Sequence, residues 1–219
     1  MTFEAVLFDC DGVLVDSEAI TCGALRDMLD ENGWRLSLAE GMAHFVGHTV
    51  RSRADLIEAH TGKPLSDAFM DEFYRRRNIR LENEITAIDG VHDAVRQMHE
   101  WCDGRIAVAS GADRYKVEMM LQRVGLAQFF EGRIFSGHEM PRSKPFPDVY
   151  LAAAAYLQVA PVHCLVVEDT SVGIAAGVAA GATVWAYAPP CAPTDVLWQA
   201  GAAHVFEHMS QLSAVRSEN

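Results

Sequence analysis

The sequence lacks the cysteine pattern of a disulfide-stapled or zinc-binding protein. It contains five cysteines, an odd number, and no two of them are spaced as Cys-x-x-Cys. Disulfide frameworks pair an even number of cysteines, and structural zinc sites use short fixed spacings, so neither kind of site is indicated. We therefore expect reduced thiols, which are typical of a cytosolic protein. The cysteines are Cys10, Cys22, Cys102, Cys164 and Cys191.

Positive charge and long apolar runs are also scarce. Lysine and arginine together number 18 against 30 aspartates and glutamates, which gives a formal net charge of −12 at pH 7. Such a surface repels nucleic acid and acidic lipids, so we expect neither partner, and a small anionic ligand would need a local basic pocket. Glu4 and Asp9 interrupt the region where a signal peptide would lie, and no apolar run is long enough to span a membrane. We expect a cytoplasmic, monomeric protein.

What the sequence does contain is an alternation of short apolar runs with helical patterns. Half of the residues are apolar, which is enough to bury a core in a chain of 219 residues. Strands that alternate with helices form a parallel sheet covered on both faces. We therefore predict an α/β fold with a doubly wound, Rossmann-like parallel sheet. The apolar runs are AVLF (5–8), RIAVAS (105–110), RIF (133–135), CLVVE (164–168) and TVWAYA (183–188).

One segment, from residue 17 to residue 87, interrupts this alternation. It contains helical patterns and no strand candidate of comparable quality. We predict an α-helical cap over residues 17–87, inserted into a core made of residues 1–16 and 88–219. Because the insertion follows the first strand, the cap is expected at the carboxyl ends of the strands, where open α/β sheets bind ligands.

Acidic residues stand at the ends of two predicted strands. Asp9 and Asp11 follow the first strand, and Glu168 and Asp169 end the fourth. In a parallel sheet these ends meet at one edge, where like charges repel unless a cation or a proton intervenes. Carboxylate oxygens are the ligands that Mg²⁺ prefers. The sequence therefore predicts a magnesium site formed by Asp9, Asp11, Glu168 and Asp169.

Groups that bind phosphate fall at the same predicted edge. Ser110 and Gly111 end the second strand, and Lys144 follows the third. A hydroxyl, glycine-adjacent backbone N–H groups and an ammonium are the donors that a phosphate needs opposite a metal ion. Together with the carboxylates they predict a phosphoryl-transfer centre.

Four motifs in order also carry a family resemblance. They are DCDGVLVDS at 9–17, Ser110 at a strand end, SKPFPD at 143–148 and VVEDTSVGIAAGVAAG at 166–181. In this order, with a helical insert after the first, they resemble the haloacid dehalogenase superfamily. The position of the insert resembles the branch of that superfamily that contains phosphatases and β-phosphoglucomutases.

The resemblance implies a role for each of these residues. Asp9 would attack phosphorus and form an aspartyl-phosphate, and Asp11 would be the general acid and base. Magnesium would lie between Asp9, the main-chain carbonyl of Asp11 and Asp169, with Glu168 either a further ligand or a neighbour of the ligands. Ser110 and Lys144 would hold the transferring phosphoryl group.

Substrate selection is expected in the cap. Its candidate residues are basic, and a second anionic group on a substrate would suit an arginine fork, although a charge run on a helix is commonly a solvated face. The resemblance extends to bacterial sugar-phosphate phosphatases acting on compounds such as 6-phosphogluconate, so we expect a small phosphorylated metabolite. The candidates are Arg51, Arg75, Arg76 and Arg77.

Three other functions share parts of this pattern. A dehalogenase has no use for a second aspartate at Asp11, and a phospho-receiver module has no 70-residue insert. A β-phosphoglucomutase keeps water away with a histidine five residues after the last aspartate of the first motif. That position is Thr21, and the first histidine in the chain is His44. The pattern favours a phosphatase over a mutase.

Overall fold

The computed structural model describes residues 3–216 and divides them into two compact units. One unit is Asp16–Ile85, and the other consists of the described residues on either side of it. We call the first the helical insert and the second the core unit. The predicted cap covers residues 17–87, whereas the helical insert covers Asp16–Ile85.

The core unit is built on six parallel strands with helices on both sides, which confirms the predicted fold class. The strand order is β3-β2-β1-β4-β5-β6. Four of the strands are almost wholly buried, as expected where both faces of a parallel sheet are covered. The strands are β1 (Ala5–Phe8), β2 (Ile106–Ser110), β3 (Ile134–Ser136), β4 (Cys164–Glu168), β5 (Thr183–Tyr187) and β6 (His204–Phe206).

The sequence analysis missed one strand of this sheet. β6 is an edge strand of three residues, HVF, which pairs with β5. β3 is equally short but was predicted from the run RIF, whereas β6 begins with a histidine and buries only Phe206 of its three residues. Its pairing with β5, rather than its own sequence, defines it.

The helical insert is all-helical in its described residues, as predicted. Its apolar core includes Leu25, Trp34, Phe45, Met70 and Phe73. Two helices begin at a serine whose side chain accepts a capping hydrogen bond, and one of these has a full capping box between Ser37 and Glu40. The helices are α1 (Glu18–Glu31), α2 (Leu38–Phe45), α3 (Ala54–Thr61) and α4 (Asp67–Glu84).

Five helices cover the sheet of the core unit. They are α5 (Val91–Trp101), α6 (Arg114–Arg123), α7 (Asp148–Tyr156), α8 (Ser171–Ala179) and α9 (Asp195–Gln199). In the part of the chain that the structure describes, no helix is both long and apolar enough to cross a bilayer.

Glycine allows α8 to pack closely on the sheet. A Cβ atom at Gly177 would lie 2.7 Å from Cγ2 of Val184 on β5 and 3.2 Å from Cγ1 of Val166 on β4. The first distance is below any ordinary carbon–carbon contact, so even alanine would push the helix away from the strands.

This packing predicts opposite effects for two glycine-to-alanine variants. Gly177→Ala should lower the free energy of unfolding by about 1 kcal/mol or more, since overpacking outweighs the gain in helix propensity. Gly41→Ala is the matched control, because a Cβ at this helical position meets no atom within 4 Å. It should raise stability by about 0.5–1 kcal/mol. Urea unfolding measures both, and stabilisation by Gly177→Ala would contradict the packing.

Candidate active site

The site lies in the core unit, where the carboxyl ends of three neighbouring strands meet. β1 pairs with β2 on one side and with β4 on the other, all in parallel. Asp9 directly follows β1, Ser110 ends β2 and Glu168 ends β4. The sheet therefore brings together residues that lie far apart in the sequence, as the sequence analysis predicted.

Three carboxylates form a cluster at this edge. Oxygen atoms of Asp9, Glu168 and Asp169 all lie within 4.8 Å of one another. This is an all-oxygen donor set of the kind that hard divalent cations use, so the residues present fit Mg²⁺. The pattern of acidic residues predicted that Asp11 also belongs to this site, but its carboxylate is not part of the cluster. The family resemblance assigned only the main-chain carbonyl of Asp11 to the metal.

Gly12 makes room for the cluster. Its φ is +76°, a left-handed conformation that favours glycine. A Cβ atom at this position would lie 2.0 Å from Oδ2 of Asp169. The glycine of the DCDG motif therefore allows the first loop to approach the carboxylate contributed by the fourth strand.

Lys144 links two of the carboxylates. Its Nζ lies 2.6 Å from Oδ1 of Asp9 and 2.6 Å from Oε1 of Glu168. The side chain of Lys144 is 9% exposed, and its ammonium lies 4.8 Å from the centre of the Tyr150 ring. With two anions and an aromatic ring beside it, the pKa of Lys144 lies well above its ordinary value even though burial opposes its charge.

Glu168 accepts hydrogen bonds at both of its oxygens. Oε1 accepts from Lys144 and from the hydroxyl of Tyr150, and Oε2 accepts from the backbone N–H groups of Asp169 and Thr170 and from the Thr170 hydroxyl. Burial raises the pKa of Glu168, but Lys144 and these donors outweigh burial and hold it below its ordinary value. Although Glu168 lies near enough to the other carboxylates to be a ligand, these bonds favour a role in fixing Lys144.

A second glycine, Gly173, leaves room for the carboxylate of Glu168. A Cβ atom at Gly173 would lie 1.7 Å from Oε1 of Glu168. α8 can therefore begin directly beneath the Glu168 carboxylate only because the residue at its first turn has no side chain. Thr170 caps the same helix by accepting a hydrogen bond from the backbone N–H of Gly173.

The protonation of Asp9 is strongly perturbed. Burial raises the pKa of Asp9 from its ordinary value of 3.8 to about 7, and the charges of Glu168 and Asp11 add to this effect while Lys144 opposes it. In the absence of a cation, Asp9 therefore takes up a proton near neutral pH. A bound divalent cation would favour the carboxylate form.

Ser110 and Gly111 lie where β2 meets the loop before α6. The side chain of Ser110 is buried, and its hydroxyl accepts a hydrogen bond from the backbone N–H of Ala112. The Ser136 hydroxyl donates to the carbonyl of Ala112. Asp113, rather than Ser110, caps α6. The loop is thus held in place by side chains from two strands.

Sequence analysis missed two residues of this site. Lys116 donates to Oδ1 of Asp11 at 2.6 Å, and Tyr150 donates to Glu168. Lys116 is 105 positions away from Asp11 along the chain. The sequence indicates only that Lys116 lies in the helix that follows Ser110. A lysine on the protein surface could occupy the same position, so this does not identify it as a site residue.

The four arginines predicted to bind substrate lie in the helical insert. Three of them pair there with acidic side chains: Arg51 with Asp67, Arg75 with Glu72, and Arg76 with both Glu31 and Glu72. Arg77 is buried, and its guanidinium lies 4.8 Å from the centre of the Tyr74 ring. Each of these arginines is thus paired with an acidic side chain or packed on an aromatic ring within the insert, and their role in binding substrate stays a prediction.

The perturbed pKa of Asp9 predicts how stability depends on pH. Below pH 3.8 Asp9 is protonated in both the folded and the unfolded chain. As pH rises through 7 the folded protein must ionise a buried group, and stability is lost. In the presence of a chelator, Asp9→Asn should therefore raise the Tm by a few degrees at about pH 8, and by clearly less at about pH 5.

Asp103→Asn is the matched control, since this side chain is exposed at 84%. Its φ of +49° is a backbone conformation that asparagine also adopts readily, so this variant should change the Tm by at most a small amount that is the same at both pH values. Adding Mg²⁺ should raise the Tm of the wild type and not that of Asp9→Asn. A gain in Tm that is equal at both pH values would contradict the assignment of the pH dependence to Asp9.

Comparisons with known proteins show the family to which the chain belongs. Residues 6–187 match the model of the haloacid dehalogenase-like hydrolase family. The chain is 30% identical over 211 residues to the 6-phosphogluconate phosphatase of Escherichia coli K12, covering 95% of this chain and 92% of that protein.

Two solved structures are also similar over nearly the whole chain. A haloacid dehalogenase-like protein of unknown function from Agrobacterium tumefaciens C58 is 34% identical, with a TM-score of 0.86 and coverage of 99% of this chain and 98% of that one. A HAD family hydrolase from Deinococcus radiodurans R1, with bound phosphate and sodium, is 32% identical, with a TM-score of 0.80 and coverage of 99% and 96%. The chain therefore belongs to the haloacid dehalogenase-like hydrolase family and is an enzyme of that family.

Proposed function

We propose that the enzyme is a magnesium-dependent phosphatase that hydrolyses a small sugar phosphate through an aspartyl-phosphate at Asp9. The observation that carries this proposal is the position of Asp9, a buried carboxylate with Lys144 at 2.6 Å and Asp169 beside it. A nucleophilic carboxylate must meet an anionic phosphate. Lys144 supplies one positive charge for this approach, and a metal ion held by the acidic cluster would supply the rest.

Asp9 and Asp169 would hold the metal ion with their carboxylates, and Asp11 with its main-chain carbonyl. When bound, Mg²⁺ supplies charge neutralisation for the phosphoryl group and keeps Asp9 ionised. Glu168 would keep Lys144 in place on the other side of Asp9.

The residues of the chain then carry the reaction in two steps. Asp9 attacks phosphorus as the bond to the leaving oxygen breaks, and Asp11 protonates that oxygen. Asp11 next takes a proton from water, which attacks the phosphorus and releases Asp9. Ser110, the backbone N–H groups near Gly111, and Lys144 would bind the phosphoryl oxygens throughout. The D. radiodurans relative was solved with bound phosphate, which supports phosphate as a ligand of the present enzyme.

The substrate class rests on the relatives. The E. coli protein is named for its action on 6-phosphogluconate, and its similarity extends over almost the whole of both chains. We infer a small phosphorylated sugar or sugar acid for this enzyme. A second anion on the substrate would have to compete with Asp67 for Arg51, and with Glu72 for Arg75 and Arg76.

A phosphoglucomutase-type transferase is the second candidate, because the core motifs are shared. A mutase has to keep water away from its aspartyl-phosphate. The histidine that serves this purpose in related mutases is replaced here by Thr21, whose hydroxyl oxygen is buried without a hydrogen-bond partner. Because the histidine that keeps water away in mutases is missing at this position, water can act as the phosphoryl acceptor, which favours hydrolysis.

Phosphate release from a panel of sugar phosphates tests the proposal. We expect release that depends on Mg²⁺, is abolished by EDTA and recovers when Mg²⁺ is added in excess. Asp9→Asn should remove the nucleophile and lower kcat by at least about a thousandfold while the protein still folds. The exposed variant Asp103→Asn should retain wild-type activity.

Two results would contradict the proposal. One is phosphate release that persists in EDTA or in Asp9→Asn. The other is the accumulation of glucose 6-phosphate faster than free phosphate, when the enzyme is given β-glucose 1-phosphate, Mg²⁺ and a trace of glucose 1,6-bisphosphate. The second result would establish the transferase instead.

A further inference from the structure

The site contains a second buried ammonium group in addition to Lys144. Nζ of Lys116 lies 2.6 Å from Oδ1 of Asp11, and the Lys116 side chain is 7% exposed against 26% for Asp11. A lysine this deeply buried needs an anionic partner, because an unpaired charge in the interior is strongly unfavourable. The proposed mechanism has so far given this lysine no role.

Hydrogen bonds at the start of α6 and in the preceding loop fix the position of Lys116. It lies in the first turn of α6, where its backbone N–H donates to the side chain of Asp113. The loop before the helix is fixed from two strands by the Ser110 and Ser136 hydroxyls. An ammonium carried on a capped helix and a braced loop has a defined position relative to the end of β1.

The carboxylate of Asp11 is bonded to Lys116 and lies outside the cluster formed by the other three carboxylates. Among the described residues, the three acids that could share one cation are Asp9, Glu168 and Asp169, and the carboxylate of Asp11 is outside that group. A cation bound there would attract a mobile Asp11 carboxylate, since the residue follows Asp9 by only two positions. A charge-assisted hydrogen bond of 2.6 Å opposes that movement.

We propose that Lys116 is a positioning residue, which holds the carboxylate of Asp11 where it can deliver a proton to the leaving group. The inference rests on the proposed phosphatase function. In the step concerned, the bond from Asp9 to phosphorus forms and the bond from phosphorus to the ester oxygen breaks. The proton of Asp11 moves to that oxygen, which leaves as a neutral alcohol, and water later returns a proton to Asp11.

Two esters that differ in the basicity of the leaving group test this role. Phenolate is a poor leaving group that needs a proton, whereas para-nitrophenolate leaves without one. In Lys116→Met, kcat/KM should fall at least about tenfold more for phenyl phosphate than for para-nitrophenyl phosphate. The parameter kcat/KM is the appropriate measure, because it covers the steps up to departure of the leaving group.

Arg114→Met is the matched control, since it removes a cation from the same turn of α6. Arg114 is partly exposed and pairs with Glu139, not with Asp11. It should leave the ratio of the two kcat/KM values unchanged. In an Asp11→Asn background, Lys116→Met should add little further loss, because both changes act on one proton transfer. If Lys116→Met does not fold, Lys116→Gln can replace it in the same comparison.

The outcomes separate this inference from the proposed function. An equal loss on both esters, or a full further loss in the Asp11→Asn background, would overturn the role of Lys116 while the wild type still hydrolyses phosphate esters. A wild type that releases no phosphate from either ester in the presence of Mg²⁺ would overturn the proposed function, and the inference with it.

Discussion

The arrangement of the site depends on one buried ammonium shared by two carboxylates. Lys144 lies 2.6 Å from both Asp9 and Glu168, in surroundings where any of the three charges alone would be strongly unfavourable. Glu168 can be fully buried because five hydrogen bonds satisfy it, and it thereby fixes the cation beside Asp9. In our account, this cation allows a carboxylate to attack an anionic phosphate.

The parallel sheet and two glycines make this constellation possible. The carboxyl ends of β1, β2 and β4 are neighbours, so each contributes functional groups to the same edge. Gly12 and Gly173 have no side chains to obstruct the approach of Asp169 and Glu168. Any side chain at either glycine would displace a carboxylate of the cluster, so the glycines of these two motifs have a direct structural role.

Much of the fold could be predicted from the sequence, because its strands are short, apolar and separated by helical patterns. Buried strands such as AVLF and CLVVE can be recognised from their apolar composition alone. The edge strand β6 could not be predicted in this way, since it begins with a histidine, buries only Phe206, and is defined by its pairing with β5, which is a tertiary property.

The acidic residues of the candidate site were easier to predict from the sequence than its basic residues. Acidic pairs at strand ends stand out because like charges are crowded together, and Asp9 and Asp169 were found from that pattern. The contact of Lys116 with Asp11 spans 105 positions and depends on how α6 is oriented, which no local pattern records. Likewise, the pairing of the insert's arginines with Asp67, Glu31 and Glu72 depends on how the helices of the insert pack, which the sequence does not reveal.

The central claim is that Asp9 carries the phosphoryl group, and reductive trapping tests it most directly. The enzyme is mixed with Mg²⁺ and a sugar phosphate that it hydrolyses, quenched within one turnover and treated with borohydride, which reduces an acyl phosphate to an alcohol. Our account predicts that peptide mass spectrometry finds homoserine in place of aspartate at position 9, and only when substrate is present. Homoserine at another carboxylate, or an unmodified Asp9 in enzyme quenched during active turnover, would contradict it.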